Sequence, residues 1–201
     1  MSYRTPLSDY DFVMHRLLRV SDLDIPGYGD LDTEFTGAVL AEAGKLAEEV
    51  LAPLNAVGDK QGCRLENGVV RMPQGHRAAL DALREGGWTS LDLPTEYGGQ
   101  GLPYVMHIAV SEPFVSANMA FDIFLGLTHG AFSAIANHGS EAQKALYLPR
   151  LASCEWTGAM DLTEPQCGTD LGLIRTRAEP QADGSYRITG GKREKIKGGL
   201  K

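Results

Sequence analysis

From the N-terminus to about Ala152, apolar residues recur every three or four positions, the spacing that lines one face of a helix. The longest stripe is Phe35, Val39, Leu40, Ala43, Leu46, Ala47 and Val50, with Glu42, Glu48 and Glu49 largely off it and turned to water. Thr33 is placed to cap this helix and Pro53 to end it. An earlier helix is predicted with Ser8 as its cap and Val13, Leu17 and Leu18 on one face, broken by Pro26, Gly27 and Gly29. After Pro73, Ala79, Leu80 and Leu83 mark a third helix that stops at Gly86-Gly87. Two more apolar helices are predicted over 104–117 and 121–137, the first kinked at Pro113. Ser140-Glu141-Ala142-Gln143 has the form of a capping box and opens a helix carrying Leu146, Leu148 and Leu151. Between these helices, Asn67-Gly68 centres a short hairpin, and 88–101 reads as irregular and rich in glycine and proline.

The pattern changes near Ser153. Residues 156–162, 171–178 and 185–188 read as extended, and Asp183-Gly184 is a hairpin signal. The organisation predicted is an α+β fold: an all-α N-terminal domain over 1–152, then the beginning of an antiparallel β domain over 153–201. Two or three strands do not bury a core alone, so the second domain is expected to be incomplete within this chain.

Composition narrows the class without naming a chemistry. Apolar residues make up 43% and charged residues 22% of 201 residues, as in an ordinary globular protein. A formal charge of −7 argues against nucleic acid as a partner and against a polybasic membrane contact. No run approaches the roughly 18 consecutive apolar residues of a membrane span, and the opening residues lack the pattern of a secretory leader. Cys63, Cys154 and Cys167 show no CxxC spacing and read as reduced thiols of a cytoplasmic protein. The five histidines are scattered along the chain with no HExxH, so no metal site is expected, and His129 reads as a core histidine. Phe121, Phe124 and Phe132 read as core and Glu112 as helix surface. Gly98-Gly99-Gln100-Gly101 lacks the GK[ST] of a phosphate loop and reads as a structural turn.

The informative segment is Leu162-Thr163-Glu164-Pro165-Gln166-Cys167-Gly168-Thr169-Asp170. Pro165 fixes one backbone angle and Gly168 permits a tight turn. Such a loop can aim backbone N–H groups and the hydroxyls of Thr163 and Thr169 at an anion or a ring carbonyl. Taken alone, it also fits a plain turn between strands. The pattern Thr163-Glu164-Pro165-x-x-Gly168-Thr169-Asp170, however, resembles the T-E-P-x-x-G-[ST]-D signature of the acyl-CoA dehydrogenase family. Three further segments resemble the family in order and spacing. They are Pro94-x-x-Tyr97-Gly98-Gly99-x-Gly101, His138-Gly139-Ser140-Glu141-x-Gln143-Lys144-x-x-Tyr147-Leu148-Pro149, and Asp183-Gly184-x-Tyr186-x-Ile188-x-Gly190-x-Lys192. The opening residues and the loop Gly62 to Gly68 are most similar to the 3-methylmercaptopropionyl-CoA dehydrogenases and relatives with an extended N-terminus.

The resemblance implies FAD as cofactor, an acyl-CoA thioester oxidised at its Cα–Cβ bond, and an electron-transfer flavoprotein as acceptor. It implies that Met160 and Leu162 present backbone groups to the flavin and that Thr163 bonds its pyrimidine edge. Gly168 would allow close approach, and Thr169 would reach both cofactor and acyl-CoA. Glu164 and Asp170 would hold the loop. The general base is a glutamate in a C-terminal domain, so no catalytic residue is assigned in this chain, and full-length members form homo-oligomers. Two departures stand out. Asp161 occupies a position that is usually uncharged, and strand alternation would turn it away from the flavin. Directly after Lys192, where the family has an aromatic or other large apolar residue, the chain has Arg193, no aromatic occurs through Lys201, and a frameshift or early stop near Lys192 is the expectation. An inactive remnant and an interaction fragment are the alternatives to an active dehydrogenase.

Overall fold

A computed structural model describes residues 3–192, so the expectation about Arg193 to Lys201 lies outside the described residues. The chain divides into two compact units, one up to Gly158 and one from Ala159 onward.

The first unit is helical. Helix α1 (Leu7–Asp11) runs into a π-helical turn over Phe12–Leu17. Its N-cap is Pro6 rather than Ser8: the N–H groups of Asp9 and Tyr10 donate to the Pro6 carbonyl, and the Ser8 hydroxyl turns to Asp9. Helix α2 (Thr33–Lys45) is capped by Asp32, whose Oδ1 accepts from Phe35 N at 2.7 Å, one residue before the predicted cap at Thr33. It passes through a π-helical turn (Leu46–Leu51) into helix α3 (Ala52–Gln61). Pro53 therefore does not end the helix. It sits in the first turn of α3, directly after the π turn, where a missing N–H and a fixed φ cost little.

Strands β1 (Arg64–Glu66) and β2 (Val69–Arg71) form the predicted hairpin, Asn67 and Gly68 taking φ of 52° and 76° as a type I′ turn requires. Helix α4 (His76–Glu85) buries Ala79, Leu80 and Leu83. It ends in a Schellman motif: Trp88 N donates to Leu83 O, Gly87 N donates to Arg84 O, and Gly87 takes φ 73°. In the following turn a Cβ at Gly99 would lie 1.9 Å from Leu93 O, so only glycine fits there.

Helix α5 (Tyr104–His138) is a run of 35 residues broken at one residue, Asn118, with φ −158° and ψ 83°. In a straight helix His107 and His129 would stand about 33 Å apart, at roughly 1.5 Å per residue. Their rings instead stack with centroids 4.4 Å apart, so the run folds back on itself at Asn118. Two helices were expected, over 104–117 and 121–137, and the break falls between them at Asn118; Pro113, where a kink in the first was expected, lies buried within that segment with helical backbone angles. Asn118 explains the break. Its Oδ1 accepts from Phe121 N at 3.1 Å and caps the second segment, while its Nδ2 donates to Leu51 O at 3.2 Å. By length and composition alone α5 is long enough to cross a membrane. It is instead a helical hairpin, with Met106, Val110, Phe114 and Phe121 buried in the core alongside Leu40, Ala47, Leu51, Leu80 and Leu83.

Helix α6 (Glu141–Ala152) carries the predicted capping box, Gln143 N donating to Ser140 Oγ and Ser140 N to Gln143 Oε1. Leu148 and Leu151 pack with Phe132 and Leu93 in a second, smaller core. Replacing Ser140 by alanine should lower stability by about 1 kcal/mol in urea unfolding, the ordinary worth of such a cap. A second test concerns the cysteines, all of them unbridged. Cys63 is exposed, whereas Cys154 and Cys167 are buried, and burial pushes the Cys154 thiol up to about 11. A native thiol titration with a disulfide reagent should find one reactive group, and three after denaturation.

The second unit is a short antiparallel pair, β3 (Arg177–Pro180) and β4 (Tyr186–Thr189), in the register Arg177↔Thr189 to Pro180↔Tyr186. The predicted extended runs shrink accordingly. Residues 156–162 join no ladder among the described residues. Residues 171–173 form a 3₁₀ turn because Asp170 Oδ1 accepts from Gly172 N at 3.1 Å and caps it.

Candidate functional site

The signature loop lies wholly in the second unit, and Glu164 organises it. Glu164 and Cys167 exchange backbone hydrogen bonds across Pro165-Gln166, at 2.9 and 3.2 Å. The Glu164 side chain turns inward and is 3% exposed. Its Oε1 accepts from Thr176 N at 3.0 Å and from Lys192 Nζ at 2.9 Å; its Oε2 accepts from Arg175 N at 2.8 Å and Gln166 Nε2 at 2.6 Å. Hydrogen bonding from Thr176, then from the Arg175 N–H, with the Lys192 ammonium behind them, holds this carboxyl far below the usual carboxylate range. Lys192 also donates to Leu162 O at 3.2 Å. One carboxylate and one ammonium thus tie the start of the loop to the residues just before β3 and to the chain after β4.

Held this way, the loop leaves several of its donors without a partner among the described residues. Among the described residues, the N–H groups of Met160, Leu162, Thr163, Gly168 and Thr169 donate to no protein acceptor, and neither do the two threonine hydroxyls. Met160 is 54% exposed, Gly168 and Thr169 are exposed, and Leu162 and Thr163 are half-buried. Thr163 and Gly168 stand side by side: a Cβ on Gly168 would meet nothing nearer than Thr163 Cγ2, at 4.0 Å. Packing within the chain therefore does not demand glycine there. Asp161 is exposed, and because 156–162 is not in a sheet, strand alternation does not fix its direction.

Comparison with known proteins gives this arrangement its context. A family profile described as "Acyl-CoA dehydrogenase, N-terminal domain" matches residues 33–155. The chain belongs to the acyl-CoA dehydrogenase family. A 3-methylmercaptopropionyl-CoA dehydrogenase from Ruegeria pomeroyi is 42% identical over 193 residues, covering 96% of this chain and 33% of that relative. An acyl-CoA dehydrogenase from Bacillus anthracis, solved in complex with FAD, superposes with a TM-score of 0.66 at 28% identity, over 86% of this chain and 28% of that one. A chain from a structure described as the electron transferring flavoprotein of Acidaminococcus fermentans superposes with a TM-score of 0.66 at 29% identity, over 79% of this chain and 39% of that one. The chain spans about a third of the length of the acyl-CoA dehydrogenase relatives it matches.

The residues present fit a flavin. Its pyrimidine edge is rich in acceptors, and the loop presents a row of unspent donors beside a glycine that leaves room for a ring. Two groupings escaped sequence reasoning. Lys192 was visible only as a motif position, since an ion pair spanning 28 residues leaves no local pattern. Asp92, His107 and His129 converge in space although the histidines are scattered in sequence.

Proposed function

We propose that this chain supplies the N-terminal helical domain and the flavin-facing loop of an FAD-dependent dehydrogenase that oxidises the Cα–Cβ bond of an acyl-CoA thioester. The observation that carries the reading is the loop from Met160 to Thr169, clamped from within by Glu164 and unpaired on its outside. FAD, when bound, supplies the two-electron oxidation. The chain's own residues bind and orient. Thr163 holds the pyrimidine edge through its N–H and hydroxyl, Met160 and Leu162 offer backbone groups, and Gly168 leaves space. Thr169 contacts both cofactor and thioester. Glu164 places these donors without presenting a bare charge, because Lys192 neutralises it. The wider setting, also proposed, is a cytoplasmic homo-oligomer that passes electrons to an electron-transfer flavoprotein.

The general base is proposed to lie outside this chain. Purified with excess FAD, the 201-residue chain should retain yellow flavin, and added acyl-CoA should leave the colour unchanged. Joined to the C-terminal two thirds of a relative, it should bleach. Colourless protein in both forms would favour an inactive or purely interacting fragment.

A further inference from the structure

We propose that Asp92, His107 and His129 form a binding site for a divalent transition-metal ion, with zinc the best fit. Asp92 comes from the turn that follows α4. His107 and His129 come from the two segments of α5, which the break at Asn118 folds together. His129 Nε2 lies 2.8 Å from Asp92 Oδ2, His107 Nδ1 lies 3.3 Å from Asp92 Oδ1, and one donor atom from each residue falls within 4.8 Å of the others. The side chains are 9%, 22% and 18% exposed respectively, so the cluster is largely withdrawn from water.

A purely hydrogen-bonded clamp accounts for only half of this. His129 and Asp92 Oδ2 make a good bond. Among the described residues Asp92 Oδ1 is buried with no hydrogen-bond partner; His107 Nδ1 stands 3.3 Å away without making a hydrogen bond. A buried carboxylate whose two oxygens face two stacked imidazoles, one oxygen without a hydrogen bond, is costly unless a cation completes it. Two imidazole nitrogens and a carboxylate are ligands zinc accepts, and bonds of about 2.0–2.2 Å put tetrahedral ligand atoms roughly 3.3 Å apart. The His107–Asp92 separation already matches that edge. Beside the cluster lies a cavity of about 40 Å³, also lined by Ser111 and Asp122, with room for a water as fourth ligand. The ion would fasten the turn after α4 to both arms of the α5 hairpin, and this role is independent of the flavin reading.

The test uses the untagged 201-residue chain carrying Cys63→Ser, to remove the exposed thiol, and stripped with a chelator. Equilibrium dialysis against zinc should find a single equivalent bound, and cobalt(II) should give the intense visible absorption of a four-coordinate site. Asp92→Asn, His107→Asn and His129→Asn should each weaken zinc about 10–100-fold or more and abolish the cobalt band. His138→Asn, outside the cluster, should leave both unchanged. Should a ligand variant fail to fold, proton resonances of the unsubstituted histidines decide: cobalt must shift two of the five rings strongly. Absence of stoichiometric binding, or paramagnetic shifts at histidines other than 107 and 129, would overturn the site.

Discussion

Replacing Asn118 by alanine should lower the unfolding free energy by about 2–5 kcal/mol, a large share of the roughly 5–15 kcal/mol a domain commonly has. The side chain is 1% exposed and makes two bonds, one to the Leu51 carbonyl and one from the Phe121 N–H. Alanine leaves the Phe121 N–H buried and unpaired, at about 1–3 kcal/mol, and removes the added bond to the Leu51 carbonyl, worth about 0.5–1.5 kcal/mol. It also removes the cap at the point where α5 reverses, so the loss should come with altered packing of both arms. Urea unfolding followed by far-UV circular dichroism measures it. Asn137→Ala is the control: that side chain donates to Ser133 O at 2.8 Å but is exposed, and its loss should change stability by no more than about 0.5 kcal/mol. Equal effects at the two positions would mean that Asn118 does not govern the reversal.

The second large effect is at Glu164. Glutamine there keeps the shape but turns an amide N–H₂ toward groups that already donate, and it deprives Lys192 of its partner. Hydrogen-exchange protection at Arg175 and Thr176 should disappear, and flavin retention should fall on the order of tenfold. The pH dependence follows from the direction of the shift. The folded carboxyl is held below its ordinary value of 4.5, so its contribution is fully present above about 4.5 and fades only as the pH falls toward the depressed folded value. Protection at Arg175 and Thr176 should therefore be constant near neutrality and decline below about 4.5. The glutamine variant should show low protection at every pH in that range. Protection in the unsubstituted chain that fell already at neutral pH would contradict the clamp.

Helices with a clear apolar stripe were legible in the sequence, because periodicity and local punctuation agreed. The stripe from Phe35 to Val50, the capping box at Ser140 and the Gly86-Gly87 stop each rest on contacts a few residues apart. Where the reading slipped, a less conspicuous neighbour had the better geometry. Asp32 caps in place of Thr33, and Pro53 continues the helix because a π turn precedes it. The break in α5 was legible as the gap between the two predicted helices, but the residue that fixes it was not: Asn118 bonds Leu51, 67 residues away. The second unit was harder. Strand propensity marked 156–162 as extended, but a strand needs a paired neighbour, and side-chain bonds to Asp170 turned 171–173 into a 3₁₀ turn. For the loop from Met160 to Thr169 the residues alone fitted both a ligand loop and a plain turn, and the resemblance is what favours the proposed flavin role. The clamp beneath it, Glu164 with Arg175, Thr176 and Lys192, required the fold.

The proposed flavin contact runs through the backbone of this loop. Amide resonances of the 201-residue chain, followed while FAD is titrated in, test it most directly. The account predicts saturable shifts at Thr163, Gly168 and Thr169, lost or weakened in Glu164→Gln. Shifts confined to other residues, or none at all under saturating FAD, would contradict it.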